Sequence, residues 1–138
     1  LDTHVVSEFM RPAPLPTVGA WLDAQDARRL WVCAITRAEI ELGVALMPEG
    51  QRKTGLQQAA VAMFADEFAG RCLPFDGAAA TGYAHIVSLR TRIGRPISVE
   101  DAQIAAIAVA HGLVLAIRNE PDFAQIDGLV VVNLWQNH

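Results

Sequence analysis

SVEDAQIAAIAVAHGLVLAI, residues 98–117, decides the fold. Ser98 and Asp101 stand in a capping-box pattern, with Asp in place of Glu, so a helix starts there. Ile104, Ile107 and Ala108 repeat at helical spacing and make an apolar stripe. Gly112 is the natural residue just past a helix C-terminus. Leu113 to Ile117 is then a continuous apolar run, the mark of a buried parallel strand. A helix leading into such a strand is the alternation that builds a parallel α/β sheet.

The alternation extends outward in both directions. Leu1 into Asp2 reads as the end of a buried strand, and Val5 to Met10 as a short helix stopped by Pro12-Ala13-Pro14-Leu15-Pro16. Thr17 to Ala27 has helical apolar spacing, and Leu30 to Ile35 reads as a strand. Thr36 and Glu39 form a T-x-x-E capping box, with Ile35 and Ile40 as a hydrophobic staple, opening a helix toward Met47-Pro48. Gln51 to Phe68 is a longer helix that Gly70 stops, and Arg71 to Phe75 is a strand. Gly77 to Ile93 is helical up to Gly94, and Val130 to Leu134 is the last strand. With no repeat and no dividing linker, residues 1–138 are expected to form a single α/β domain. The chain opens at Leu1-Asp2 without Met, inside its first strand, so a few preceding residues are expected to be missing.

Composition narrows the class. Half of the residues are apolar and a fifth are charged, which suits a globular protein. No apolar run approaches the roughly 20 residues of a membrane span, and no secretory leader is visible. Cys33 and Cys72 show no CxxC pairing or His/Cys cluster, so they read as buried thiols in a reducing cytoplasm. The net charge of −4 argues against a passive polyanion binder. Without Asp2, Glu39, Asp101 and Asp122 it would be zero, so the acidity is consistent with concentration in one site. Lys53 is the sole lysine, and arginine is the better planar partner for phosphate.

Those acids lie after strand-like runs or at helix-like starts, where sites form in open parallel sheets. Carboxylates gathered there repel unless a cation lies between them, and oxygen-rich sites suit Mg²⁺ or Mn²⁺. Taken singly, Glu39, Asp101 and Asp122 read as helix caps, whereas Asp2 has no helix of its own to cap at once. Capping and metal binding are compatible, since a cap fixes the rotamer of a ligand. His4 lies two residues from Asp2; His85, His111 and the terminal His138 have no ligand-like spacing. Trp21, Trp31 and Trp135 read as core or interface residues. The leading reading is metal-dependent phosphodiester cleavage. A receiver-like signalling domain needs a late lysine, and a DxDxT phosphatase needs an acid where His4 stands.

Four blocks carry a family resemblance. Leu1-Asp2-Thr3-His4-Val5-Val6-Ser7-Glu8 is similar to the LDTNVISE opening of PIN-domain ribonucleases. Ile35-Thr36-Arg37-Ala38-Glu39-Ile40-Glu41-Leu42-Gly43 resembles their second signature, and Glu100 to Ala108 their DxxIAA block. Ala116-Ile117-Arg118-Asn119-Glu120-Pro121-Asp122-Phe123 resembles ATRNxxDF. The order and spacing resemble the VapC toxins, especially the FitB-like branch, as do Leu73-Pro74-Phe75-Asp76 and Asn133-Leu134-Trp135.

The resemblance implies a three-layer α/β/α sandwich around a central parallel sheet. It implies the toxin of a type II toxin–antitoxin pair, cleaving RNA with Mg²⁺ or Mn²⁺ to leave a 5′-phosphate and a 3′-hydroxyl. A homodimer and a cognate antitoxin of the VapB/FitA type are expected, with no organic cofactor and no membrane. Carried over by motif, Asp2, Glu39 and Asp101 match the catalytic, metal-binding acids, Asn119 the fourth metal position, and Asp122 the acid of the DF pair. Thr3, His4 and Arg118 are candidates for positioning substrate. His4 stands where the family usually has Asn, and Asn119 is neutral, so the second metal is expected to bind weakly. Those departures also leave open a catalytically impaired PIN-fold binding module.

Overall fold

Helices and short strands alternate in the computed structural model, which describes residues 1–136; His138 lies outside the described residues. Helix α1 spans Thr3–Phe9 and α2 Pro16–Asp23, followed by a 3₁₀ turn at Ala27–Arg29. Strand β1 is Val32–Cys33, α3 is Ala34–Ala45, and α4 is Gln51–Ala62, continuing into a π-helical turn at Met63–Glu67. Next come β2 at Cys72–Leu73, α5 at Gly77–Arg92 and α6 at Val99–Ala110. Strand β3 is Leu115–Ile117, α7 is Glu120–Phe123, and β4 is Val131–Asn133.

The strands pair in two parallel halves, β1 with β2 and β3 with β4. Leu1 and Asp2 join them: the Leu1 nitrogen donates to the Trp31 carbonyl at 2.9 Å, and the Asp2 N–H to the Ala116 carbonyl at 3.0 Å. Two residues outside any assigned strand thus occupy the centre of the sheet. Side chains alternate across it, as pleating requires. Cys33, Leu73, Leu115 and Ile117 pack with Ile86, Ile104 and Ile107 of α5 and α6. Val32 and Cys72 face Val6, Ile40, Met63 and Phe64, while Ala116 and Val132 face Val5, Val18 and Leu22. Helices α5 and α6 therefore cover one face and α1 to α4 the other, which is the expected three-layer α/β/α sandwich.

The strands are shorter than the apolar runs, for a local reason. The Leu113 N–H bonds to the Ala108 carbonyl and the Gly112 N–H to the Val109 carbonyl. That is a Schellman closure of α6, with Gly112 at φ 63°. Leu113 belongs to the helix stop, and pairing starts at Leu115.

Two helix starts differ from the sequence reading. Helix α3 begins at Ala34, with Cys33 at its N-cap position, so Thr36 and Glu39 form no capping box. Thr36 is fully buried inside the first turn. Asp2, read as having no helix to cap, is the N-cap of α1: its Oδ1 accepts the Val5 N–H at 2.9 Å. Ser98 caps α6 as expected, accepting the Asp101 N–H at 3.1 Å.

Ile117, wholly buried on β3, should tolerate truncation poorly. Ile117→Ala is expected to cost about 2–5 kcal/mol in urea unfolding. Leu46→Ala, at 76% exposure just past α3, should stay within about 0.5 kcal/mol.

Candidate active site

Three of the candidate acids arrive at the carboxyl edge of the sheet on chain that has just left a strand. Asp2 is the second residue of the bridging pair, Glu39 lies in α3 directly after β1, and Asp122 lies in α7 after β3. Asp101 comes from the first turn of α6. A cavity of 610 Å³ lies beside the beginnings of the strands, lined by Trp31, Val32, Leu113 and Leu115 among others, and none of the four acids lines it.

Asp2 is 2% exposed. Burial pushes its carboxyl above the ordinary range, and the Val5 N–H and the nearby His4 pull it back. His4 Nδ1 stands 3.7 Å from Asp2 Oδ2, with the imidazole itself open to solvent. One Asp2 oxygen is therefore fixed by the helix start while the other faces His4.

Glu39 is held by hydroxyls. Thr3 Oγ1 donates to Glu39 Oε1 at 2.7 Å and lies 3.1 Å from Thr36 Oγ1, which takes the Cys33 thiol at 3.7 Å. A hydroxyl has one proton. Thr3 spends its proton on Glu39, so Thr36 must donate to Thr3, and Cys33 to Thr36. The chain has one direction and ends on the carboxylate. Sequence reasoning assigned Thr36 to a cap and missed this role; its place three residues before Glu39 was the available signal.

Asp101 is half-buried, and its carboxyl is raised above the ordinary range. Burial is the largest cause; Ser98 opposes it, and the charges of Asp122, Glu39 and Asp2 raise it further. Those influences bring all four acids into one electrostatic neighbourhood. Asp122 caps no turn: it sits inside α7, whose N-cap is Asn119. The Asn119 side chain makes no capping bond and is exposed, as is Glu120. Arg118 is exposed at the end of β3, its guanidinium 5.3 Å over the Trp135 ring, and its carbonyl accepts the Asn133 amide.

Among the described residues, no three His, Cys, Asp or Glu side chains form a ready-made metal cage. The donor set nonetheless fits a hydrated Mg²⁺ or Mn²⁺: hard oxygens, two of the carboxyls raised by burial, coupled without converging. Mg²⁺ keeps several waters and takes one or two direct carboxylates.

The chain is similar to known proteins over nearly its whole length. The PIN domain family profile matches residues 1–129. VapC ribonuclease Y4jK of Sinorhizobium fredii is 40% identical over 136 residues, covering 99% of this chain and 96% of the relative. Toxin FitB of Neisseria gonorrhoeae is 41% identical over 137 residues, covering 99% and 98%. The crystal structure of FitAcB from Neisseria gonorrhoeae superposes with a TM-score of 0.90 at 40% identity, covering 99% of this chain and 97% of that one.

The raised Asp101 carboxyl has a measurable consequence. Its folded-state affinity for the proton exceeds that of the unfolded chain. The stability this lends is fully present below the unfolded value of about 3.9 and is lost as pH rises through the raised folded value. An asparagine side chain does not titrate, so the Asp101→Asn variant has no such loss. In metal-free thermal unfolding, Asp101→Asn should gain on the native protein as pH rises from the unfolded value of about 3.9 through the raised folded value. A gap that is flat or narrows with pH would contradict the raised Asp101 carboxyl.

Proposed function

This chain belongs to the PIN domain family, and from that premise we propose that it is the toxin of a type II toxin–antitoxin pair, a Mg²⁺- or Mn²⁺-dependent endoribonuclease. The observation that carries this reading is the placement of Asp2, Glu39 and Asp122 on chain leaving the strands at the carboxyl edge of the sheet, with Asp101 in the first turn of α6 raised beside them. The near full-length similarity to a VapC ribonuclease and to toxin FitB supports it.

Asp2 and Asp101 would hold the ion, with Glu39 beside them and Asn119 and Asp122 serving a weaker second position. A bound divalent ion lowers the pKa of water and neutralises charge on the phosphate. The chain supplies the rest. Glu39 Oε1 is occupied by Thr3, which leaves Oε2 to accept the proton of the attacking water. Water oxygen bonds to phosphorus in line as the bond from phosphorus to the 3′ oxygen breaks, and the departing oxygen takes a proton from solvent, giving a 5′-phosphate and a 3′-hydroxyl. Arg118 offers a planar guanidinium to an RNA phosphate at the rim. His4 stays near Asp2 to orient water or substrate.

A homodimer is part of the proposal, as is a VapB/FitA-type antitoxin that lays an arginine across the acids and displaces the ion. No helix among the described residues is long and apolar enough to cross a membrane. We place the protein in the cytoplasm, where its RNA substrate is found.

Asp101→Asn should reduce RNA cleavage by at least about 100-fold, the scale of losing one charge-stabilising group. Its circular dichroism should match the native protein. Full cleavage by the purified variant, with contaminating nucleases excluded, would withdraw the assignment. Absence of cleavage by the native protein itself, with antitoxin removed and Mn²⁺ supplied, would favour a binding module.

The second position can be probed separately. Asn119→Asp adds a charge beside the weaker ion site and should tighten it in isothermal titration with Mn²⁺. Asp122→Asn should reduce activity more than Glu120→Gln, because Asp122 is half-buried and coupled to Asp101 while Glu120 is exposed. Unchanged site number and affinity in Asn119→Asp would remove Asn119 from the metal shell.

A further inference from the structure

We propose that Arg90 is a positioning residue: its buried guanidinium sets the α7 turn, and with it Asp122 and Asn119, against the Asp101 end of α6. This rests on the reading of those acids as the active site. Arg90 lies in the last turn of α5 and is 4% exposed. Its Nη1 donates to the Asp122 carbonyl at 3.2 Å and the Ala124 carbonyl at 2.8 Å, and its Nη2 reaches the Pro121 carbonyl at 3.5 Å. Its Nε donates to the Arg95 carbonyl at 2.6 Å, and its own carbonyl accepts the Arg95 N–H at 2.9 Å. One side chain therefore bonds the turn that carries Asp122 and the loop that leads into Ser98 and Asp101.

A second arginine strengthens the clamp. Arg95 Nη1 donates to Gln125 Oε1 at 3.0 Å, and Gln125 holds φ at 58°, the left-handed region that side chains other than glycine seldom enter. Helix α7 has four residues, too few to persist without tertiary support. Burying a guanidinium is costly unless its donors are met. Here they are met by the carbonyls of the segment whose place matters electrostatically, since Asp122 is the foremost charge acting on Asp101. The planar fork explains why arginine stands here: it reaches several carbonyls in one plane, which a lysine ammonium on a flexible stem does not.

The test uses Arg90→Lys, which keeps the charge and loses the fork, and Arg95→Met, an exposed change that spares the core. Hydrogen exchange of the 119–125 amides in the metal-free protein reads the turn directly. Exchange there should accelerate about tenfold in Arg90→Lys while α6 and β3 keep native rates, with Mn²⁺ affinity and kcat each falling about 10-fold or more and KM nearly unchanged. Arg95→Met should shift the same readouts in the same direction, less far, and carries the test if Arg90→Lys does not fold. Unchanged protection of the turn in the folded variants overturns the proposal. So does a loosened turn with native Mn²⁺ affinity and kcat. If the native protein binds no Mn²⁺, the metal reading fails by itself, and exchange alone decides whether Arg90 sets the turn.

Discussion

The backbone of Leu1 and Asp2 joins two halves of a sheet that otherwise have no shared edge. One bond reaches Trp31 and the other Ala116. Because chain polarity is the same in every strand of a parallel sheet, that joint also delivers Asp2 to the edge where β1 and β3 release α3 and the 118–122 segment. The carboxylate cannot retreat to solvent, because its Oδ1 is already spent on the Val5 N–H. Fold closure and acid placement are thus one constraint.

The acids make a costly neighbourhood. Burial raises Asp2 and Asp101, and like charges raise Asp101 further. Buried, mutually repelling carboxyls of this kind cluster at working sites. The surroundings here are specific: a helix start for Asp2, a directed hydroxyl chain for Glu39, a serine cap for Asp101, and two arginines behind Asp122. The supports come from α1, α3, the start of α6 and the end of α5, so the site is assembled by the tertiary fold and not by any one motif.

Much of this was legible in the sequence. The order of helices and strands, the Ser98 cap and the Gly112 stop depend on local chemistry, and these the local pattern carried, though not every element boundary. The T-x-x-E box at Thr36 did not form. Its spacing is right for a cap, but the helix already starts at Ala34, and the Thr36 hydroxyl is turned instead to its tertiary partner Thr3. The sequence leaves Asp2 without a helix to cap because α1 begins two residues earlier than its apolar residues suggest. Arg90 was invisible for a different reason. An arginine on an amphipathic helix reads as a solvent-facing charge, and only the fold shows that carbonyls from α7 surround it.

The central claim is that four carboxylates from separate elements share one field. Carbon-13 NMR titration of the Asp101 carboxyl, in metal-free native protein and in Asp122→Asn, measures it most directly. The account predicts an Asp101 pKa above the ordinary aspartate range in the native protein and a clear fall when the neighbouring charge is removed. An ordinary native pKa, or one indifferent to Asp122, would contradict it.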